Sequence, residues 1–351
     1  MDGTSEASRS GQSGSHAVTG PARPGGAVTI RAVAGLAGVS PSTVSRALNA
    51  PELVNAVTRR RVLESAERLG YQPNRAARSL VLGRTANLGL IVPDIANPFF
   101  APFIKAVQSR LRDSDYALFL ADTDEDRATE VALAEAMAEQ VDGLILCSPR
   151  LPAARLHATA ARTPVVVAYR LNRTIPSVGI DHGPGIEQAV THLRALGHRR
   201  CAYLTGPRGS WSNRQRLRHL TAACSAQGIR LTVLGPYEPR FSGGYRAADE
   251  VLTAEVTAVL AYNDLIALGV MSRLADRRVG VPRDISVIGV DDIPMASMTS
   301  PPLTTVSVPI AGVAQASASM LLSLLGAAAP RRAGPPDLAT RLVIRSTTAP
   351  V

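Results

Sequence analysis

Residues 29–49 read TIRAVAGLAGVSPSTVSRALN. Ile30, Val33, Ala34 and Ala37 recur at i, i+3, i+4 and i+7, which is one face of a helix. Gly38 then stands where a left-handed residue closes a helix, Ser40 where a second helix needs an N-cap, and Pro41 at that helix's first position. The second helix turns Val44, Ala47 and Leu48 inward and leaves Ser42, Thr43, Ser45, Asn49 and Arg46 outside. Short hydrogen-bonding side chains around one arginine suit a major groove, where Arg bonds guanine bidentately and hydroxyls bond phosphates. The other reading is a capped surface helix of a helical bundle. Val62, Leu63, Ala66 and Leu69 continue the helical spacing, so residues 28–72 are expected to form a small all-α helix-turn-helix headpiece.

Charge separates this segment from the rest. The 351 residues carry a formal +10, yet residues 28–84 hold nine Arg against three Glu, while residues 1–27 balance to zero. A concentrated basic segment is the footprint of a module that neutralises phosphates, although a solvated basic face would look the same. Residues 1–27 are Gly, Ser, Ala and Pro with few large apolar side chains, and are expected to be a disordered tail. They contain no basic start followed by an apolar run, and no stretch of the chain reaches the roughly 18 apolar residues of a membrane span, so a cytoplasmic protein is expected. Cys147, Cys201 and Cys224 have no metal-ligand spacing and read as buried reduced thiols.

Beyond Gly83 the period changes. Short β-rich runs at 88–92, 117–120, 144–147, 165–167 and 201–204 alternate with helical segments at 99–113, 127–140, 186–196 and 212–227, and further units follow at 258–262, 264–278, 286–290 and 310–325. Alternating strands and helices imply parallel sheets covered on both faces, and this many units exceeds one compact sheet. Two α/β subdomains are expected.

The segments VTIRAVAGLAGVSPSTVSRALN, RRRVLESAERLGYQPNRAARSL, LGLIVPDIANPFF, VDGLIL, HLRALGHRR, NDLIALG, VPRDISVIGVDDIP and PPLTTV follow one another from about Thr29 to Pro350. In that order and spacing they resemble the lactose-repressor (LacI/GalR) family of bacterial transcription regulators. The resemblance implies a headpiece (28–72), a hinge helix or linker (73–84), and a core (85–351) of two subdomains like type I periplasmic binding proteins, responsible for effector binding and dimerisation.

It also implies residue roles. Pro41, Ser42 and Arg46 fall on the base-reading face. Thr29, Ser40, Thr43, Ser45, Asn49 and Tyr71 match positions that fasten the headpiece to phosphates, which position without specifying. For Thr29 and Ser40 helix capping is the alternative, and one hydroxyl can serve both. In PNRAARSL, Asn74 is expected to cap the hinge helix, Ala77 and Arg78 to face DNA, and Leu80 to be the wedge that opens a base step from the minor groove. A paired hinge requires a homodimer on a palindromic operator. Val81 is apolar where the family commonly has a basic or polar residue.

For the effector, the resemblance points to a cleft between subdomains. Phe99 and Phe100 would form an apolar wall, Phe241 a stacking face, and Arg216, Asn263 and Asp291 would bond the hydroxyl rim of a sugar. Asn263-Asp264 as a helix cap is the competing reading, with the cap assigned mainly to Asp264. Tyr169 stands where the family usually has aspartate, His182 where asparagine is usual, and FSGGY after Arg240 reads as a shortened loop.

Enzyme and cofactor readings find little support. Lys105 is the only lysine, so there is no Gly-Lys phosphate loop; Gly183 and Gly185 lack a third glycine; no GxSxG occurs; and no histidine pair has i, i+4 spacing. His198 is expected at a helix end bonding carbonyls. The chain is therefore expected to be a transcription regulator acting as a repressor, without cofactor or metal, binding double-stranded DNA and a carbohydrate effector. A solute-binding protein of a sugar transporter and a sugar-processing enzyme are the alternatives.

Overall fold

The computed structural model describes residues 28–71, 84–112, 114, 116–326 and 338–351. Contacts divide the chain into two compact units at Leu82 and Gly83.

In the first unit, α1 (Ile30–Ala37) starts at Thr29, whose side chain accepts from the Ala32 N–H, and ends at Gly38 with φ 62°. Only a left-handed residue turns the chain this sharply, which is what a glycine permits. Ser40 caps α2 (Pro41–Asn49) by accepting from the Thr43 N–H at 3.2 Å. After a short 3-10 turn, α3 (Ala56–Leu69) completes the unit. Val33, Ala34, Ala37, Val44, Ala47, Val62 and Ala66 are its core, with Leu48, Leu69 and Tyr71 packed at the edge. Leu63, expected inside, is 43% exposed: α3 buries a stripe of Val62, Ser65 and Ala66, and Leu63 stands about 100° round the helix from Val62, at the margin of that stripe.

The second unit has two sheets. β1 (Asn87–Val92), β2 (Ala117–Asp122), β3 (Gly143–Cys147), β4 (Val165–Ala168) and β5 (Ser177–Val178) form the first, in the order β2-β1-β3-β4-β5, all parallel. Its crossovers are α4 (Phe100–Leu111), α5 (Arg127–Ala138) and α6 (Ala153–Ala160). The chain then crosses to the second lobe, built of α7 (Gly183–Ala195), β6 (Arg200–Leu204), α8 (Trp211–Ala226), β7 (Arg230–Leu234), α9 (Phe241–Thr253), β8 (Ala258–Ala261), α10 (Asp264–Asp276), β9 (Ser286–Asp291), α11 (Pro294–Met298) and β10 (Thr304–Ser307). It returns as α12 (Ile310–Leu324), which packs on α4, β3 and β4 of the first lobe, and crosses again to β11 (Arg341–Val343), antiparallel to β10. The second sheet runs β11-β10-β9-β8-β6-β7. Central strands such as β3, β4, β8 and β9 are buried along their whole length, as parallel strands covered on both faces must be.

The two α/β subdomains thus stand as expected, with elements that the sequence reading left unassigned: α6, β7, β10 and, most consequentially, α9. The shortened loop expected after Arg240 is helix. Gly244 is needed there because a Cβ would lie 2.0 Å from the Ile266 carbonyl oxygen, so α9 and α10 pack backbone to backbone. All three cysteines are buried and free. His198 lies just beyond α7 and ties Thr257, Ser286 and the Ala349 carbonyl together, so only one of its partners is a carbonyl.

Candidate functional site

On the headpiece, helix α2 leaves Pro41, Ser42 and Arg46 exposed, while Val44 and Ala47 face the core. Thr43 and Ser45 are half-buried beside them. The hydroxyls of Ser40 and Thr43 bond each other at 2.9 Å, and Thr29 and Ser40 both serve as caps, so the capping role assigned to them as an alternative is present. Asn74, Ala77, Arg78 and Leu80 lie outside the described residues.

Between the core lobes, strand ends and loops enclose a small cleft. From the first lobe come Phe99 and Phe100, edge to face at 5.1 Å, and Tyr169, whose ring lies 5.3 Å from Phe99. Tyr169 follows β4 with φ 62°, a strained value for a tyrosine and common at functional strand ends. From the second lobe come Arg216 on α8, Asn263 ahead of α10, and Asp291 at the end of β9 with φ 120°. Arg216 donates to the Tyr262 carbonyl, lies 5.0 Å over the Tyr262 ring, and approaches Asp291 at 3.4 Å. Burial pushes Asp291 up to about 7 against the opposing pull of Arg216. Ser212 reaches the Tyr169 carbonyl at 3.5 Å, a direct bond between lobes.

The cap of α10 is Asn263, which accepts from the Ile266 N–H and donates to the Pro239 carbonyl. Asp264, expected to be the capping member, is fully buried instead and accepts from the Ile293 N–H and the Thr305 hydroxyl. Its place as first residue of the helix points its carboxylate toward β9 and β10 rather than back at the helix end.

Phe241 does not line this cleft. It is 46% exposed at the start of α9, stacks on Tyr245 at 6.4 Å, and borders a separate apolar groove of about 670 Å³ with Met271, Val281 and Met295. The helix that replaces the expected loop carries its side chain to the α10 side. Conversely, Glu125, Ser148, Arg150, Ser212 and Tyr262 line the cleft and were not anticipated. Ser148 and Arg150 follow the end of β3, and the strand-end rule for ligand sites was the available signal. Glu130 on α5 holds that loop by accepting from the Arg150 N–H at 3.0 Å, and Arg150 pairs with Glu125.

The enclosed volume is about 30 Å³, room for a water or two, so the lobes are closed upon one another. Arg240, the residue before α9, spans the mouth: its Nε donates to Asp94 at 2.9 Å and its Nη2 to Asp124, both on the first lobe. Among the described residues no group of His, Cys, Asp and Glu is placed to hold a metal, and no helix is long and apolar enough to cross a membrane.

A helix-turn-helix unit joined in one chain to a cleft-bearing pair of α/β lobes defines a DNA-binding regulator with a core like a periplasmic binding protein. Residues 29–74 match the model for bacterial regulatory proteins of the lacI family, and residues 190–348 that for the periplasmic binding protein-like domain. The chain is 33% identical over 305 residues to catabolite control protein A of Streptococcus mutans, covering 85% of this chain and 91% of the relative. It is 34% identical over 311 residues to the HTH-type transcriptional regulator GalS of Salmonella typhimurium, covering 86% and 90%. The crystal structure of the lac repressor dimer bound to operator and the anti-inducer ONPF aligns with TM-score 0.79 at 31% identity, covering 92% of this chain and 99% of that one. A regulator from Enterococcus faecium with bound ribose aligns at TM-score 0.66 and 28% identity, covering 76% and 99%. The chain belongs to the lacI family of bacterial regulatory proteins, and is a DNA-binding transcriptional regulator and not an enzyme.

Proposed function

We propose that the protein is a cytoplasmic, homodimeric repressor, nucleoid-associated when bound, whose grip on a palindromic operator is set by a sugar or sugar derivative in the core cleft. The observation that carries this is the presence, in one chain, of an exposed Ser42–Arg46 face on a capped helix and a buried Arg216–Asp291 pair between two lobes. Ser42 and Arg46 read bases. Thr29, Ser40, Thr43, Ser45, Asn49 and Tyr71 hold phosphates, and Pro41 adds shape. A hinge over residues 73–84, with Asn74, Ala77, Arg78 and Leu80, enters the minor groove at the operator centre.

In the cleft, Phe99 and Phe100 offer apolar surface to the sugar ring, while Tyr169, Arg216, Asn263 and Asp291 bond its rim. Support comes from solved relatives that hold an operator and an anti-inducer, or ribose, within the same fold. Dimerisation is supported by β2, an edge strand that leaves Phe119 and Leu120 exposed beside unpaired backbone, a surface that a second copy would cover. Effector binding changes the closure of the lobes, and a coupling of a few kcal/mol between cleft and headpiece suffices for a switch. The solute-binding alternative is not favoured, because the match to residues 29–74 lies in the DNA-binding family.

The test is sequencing of genomic fragments retained by the purified protein at near-physiological salt, with and without sugars. A palindromic motif released or tightened by one sugar is expected. Salt-sensitive retention without a motif would overturn the reading, since phosphate contacts alone behave that way.

A further inference from the structure

Three buried donors face the cleft with no acceptor among the described residues: the Nε of Arg150, the Nε of Arg216 and the hydroxyl of Tyr169. Arg216 and Tyr169 are 5% and 3% exposed, so bulk solvent barely reaches them and whatever occupies the small cavity must supply their acceptors. The remaining guanidinium contacts are spent on Glu125, the Tyr262 carbonyl and Asp291. A buried donor without a partner costs about 1–3 kcal/mol, and more when charged, so three around one cavity create a strong demand for acceptors.

The acceptors around the same cavity are largely committed. Asn97 accepts from the Phe99 N–H, Asn263 from the Ile266 N–H and Asp291 from Arg216, while Glu125 lies in ion-pair contact with Arg150 and its Oε2 accepts no hydrogen bond. An aspartate at position 169 would bring two acceptor oxygens. Tyr169 brings a phenol, which burial holds neutral by pushing its ionisation well above the usual range. Each hydroxyl of a neutral sugar carries a hydrogen that needs an acceptor in return. A carboxylate or phosphate carries none, and its bonds to donors are charge-assisted.

We infer that the cleft ligand is an anionic sugar derivative, a sugar acid or sugar phosphate, whose oxyanion is bound by Arg150, Arg216 and Tyr169. This rests on the reading of the cleft as the effector site. Asp291 faces the same space, and burial has already brought it to about 7, so it can take up a proton and bond the oxyanion as a donor rather than repel it.

The test is calorimetric titration of the full-length protein with matched probes: hexuronates, aldonates, hexose 6-phosphates, and the neutral hexoses and pentoses. At least one anion is expected to bind about tenfold or more tightly than its neutral parent, one charged hydrogen bond's worth. The ranking of sugar acids against phosphates identifies the oxyanion. Tyr169→Asp should reverse the preference. Tyr169→Phe, which removes only the hydroxyl, should weaken the anion severalfold more than it weakens the neutral parent, with circular dichroism confirming the fold of both variants. A neutral sugar binding as tightly as its anionic partner would overturn this inference and leave the sugar-regulator reading standing. Binding by neither class at millimolar concentration would overturn both.

Discussion

Arg46 and its neighbours show how one residue's environment fixes what its loss should do. Exposed on α2 while Val44 and Ala47 are buried, Arg46 has no structural duty in the headpiece core, so Arg46→Ala should leave folding intact. Discrimination should fall by about 1–3 kcal/mol at one base pair in each half-site, read by binding to a library of operator variants. An unchanged base preference would show that α2 docks differently. Ser40 differs because its hydroxyl caps α2, so Ser40→Ala mixes about 1 kcal/mol of helix stability with any phosphate contact. At this scale the sequence was most legible where local chemistry decides. The Ser40-Pro41 start and the Gly38 stop are encoded within a few residues of where they act. Arg150 was legible only as a residue past a strand end, because what seats it in the cleft is the grip of Glu130 from α5 on its backbone, a contact across twenty positions.

Helix α9 illustrates the element scale, and why its reading failed. Gly243-Gly244 is a loop signal by local propensity, yet both glycines serve the close approach of α9 to its surroundings, which no local pattern reveals. Gly244→Ala should therefore destabilise the core rather than help the helix. A Cβ 2.0 Å from the Ile266 carbonyl must push α9 from α10, for about 1–3 kcal/mol, seen as a lowered Tm. A raised Tm would mean that helix propensity outweighs the clash. The start of α9 carries the other consequence, since Arg240 spans the mouth of the cleft to Asp94 and Asp124. Arg240 is 40% exposed, which limits these pairs to roughly 1 kcal/mol, a shift of about fivefold toward the open form in Arg240→Ala. Small-angle scattering of the effector-free core should show a larger mean radius. Identical scattering together with identical effector affinity would show the latch to be neutral.

At the scale of the molecule, counting strand and helix units was enough to expect two lobes, but not the three crossings between them. Those crossings depend on α12 choosing the first sheet, a tertiary decision. The two units also differ in what holds them. The headpiece core consists of Val and Ala side chains, whereas the core unit buries aromatic and aliphatic side chains in both lobes, so calorimetry should resolve a weaker headpiece transition below a core transition. Buried carboxylates give the upper transition a pH dependence. Glu130 is 6% exposed and burial pushes it up to about 7, above its ordinary value of 4.5. Between those values the unfolded chain has released the proton while the folded chain still holds it. The folded state binds more protons there, and stability falls as pH rises. Glu130→Gln keeps an acceptor for the Arg150 N–H and removes the titration. The variant should match wild type near pH 4 and gain on it up to pH 7, by about 3 kcal/mol at most. The opposing trend from His182, held neutral by burial, is common to both proteins and cancels in the difference. A difference that does not change with pH would mean that Glu130 ionises in the folded core as readily as in water, and that the Arg150 loop is held by a charge rather than by a protonated carboxyl.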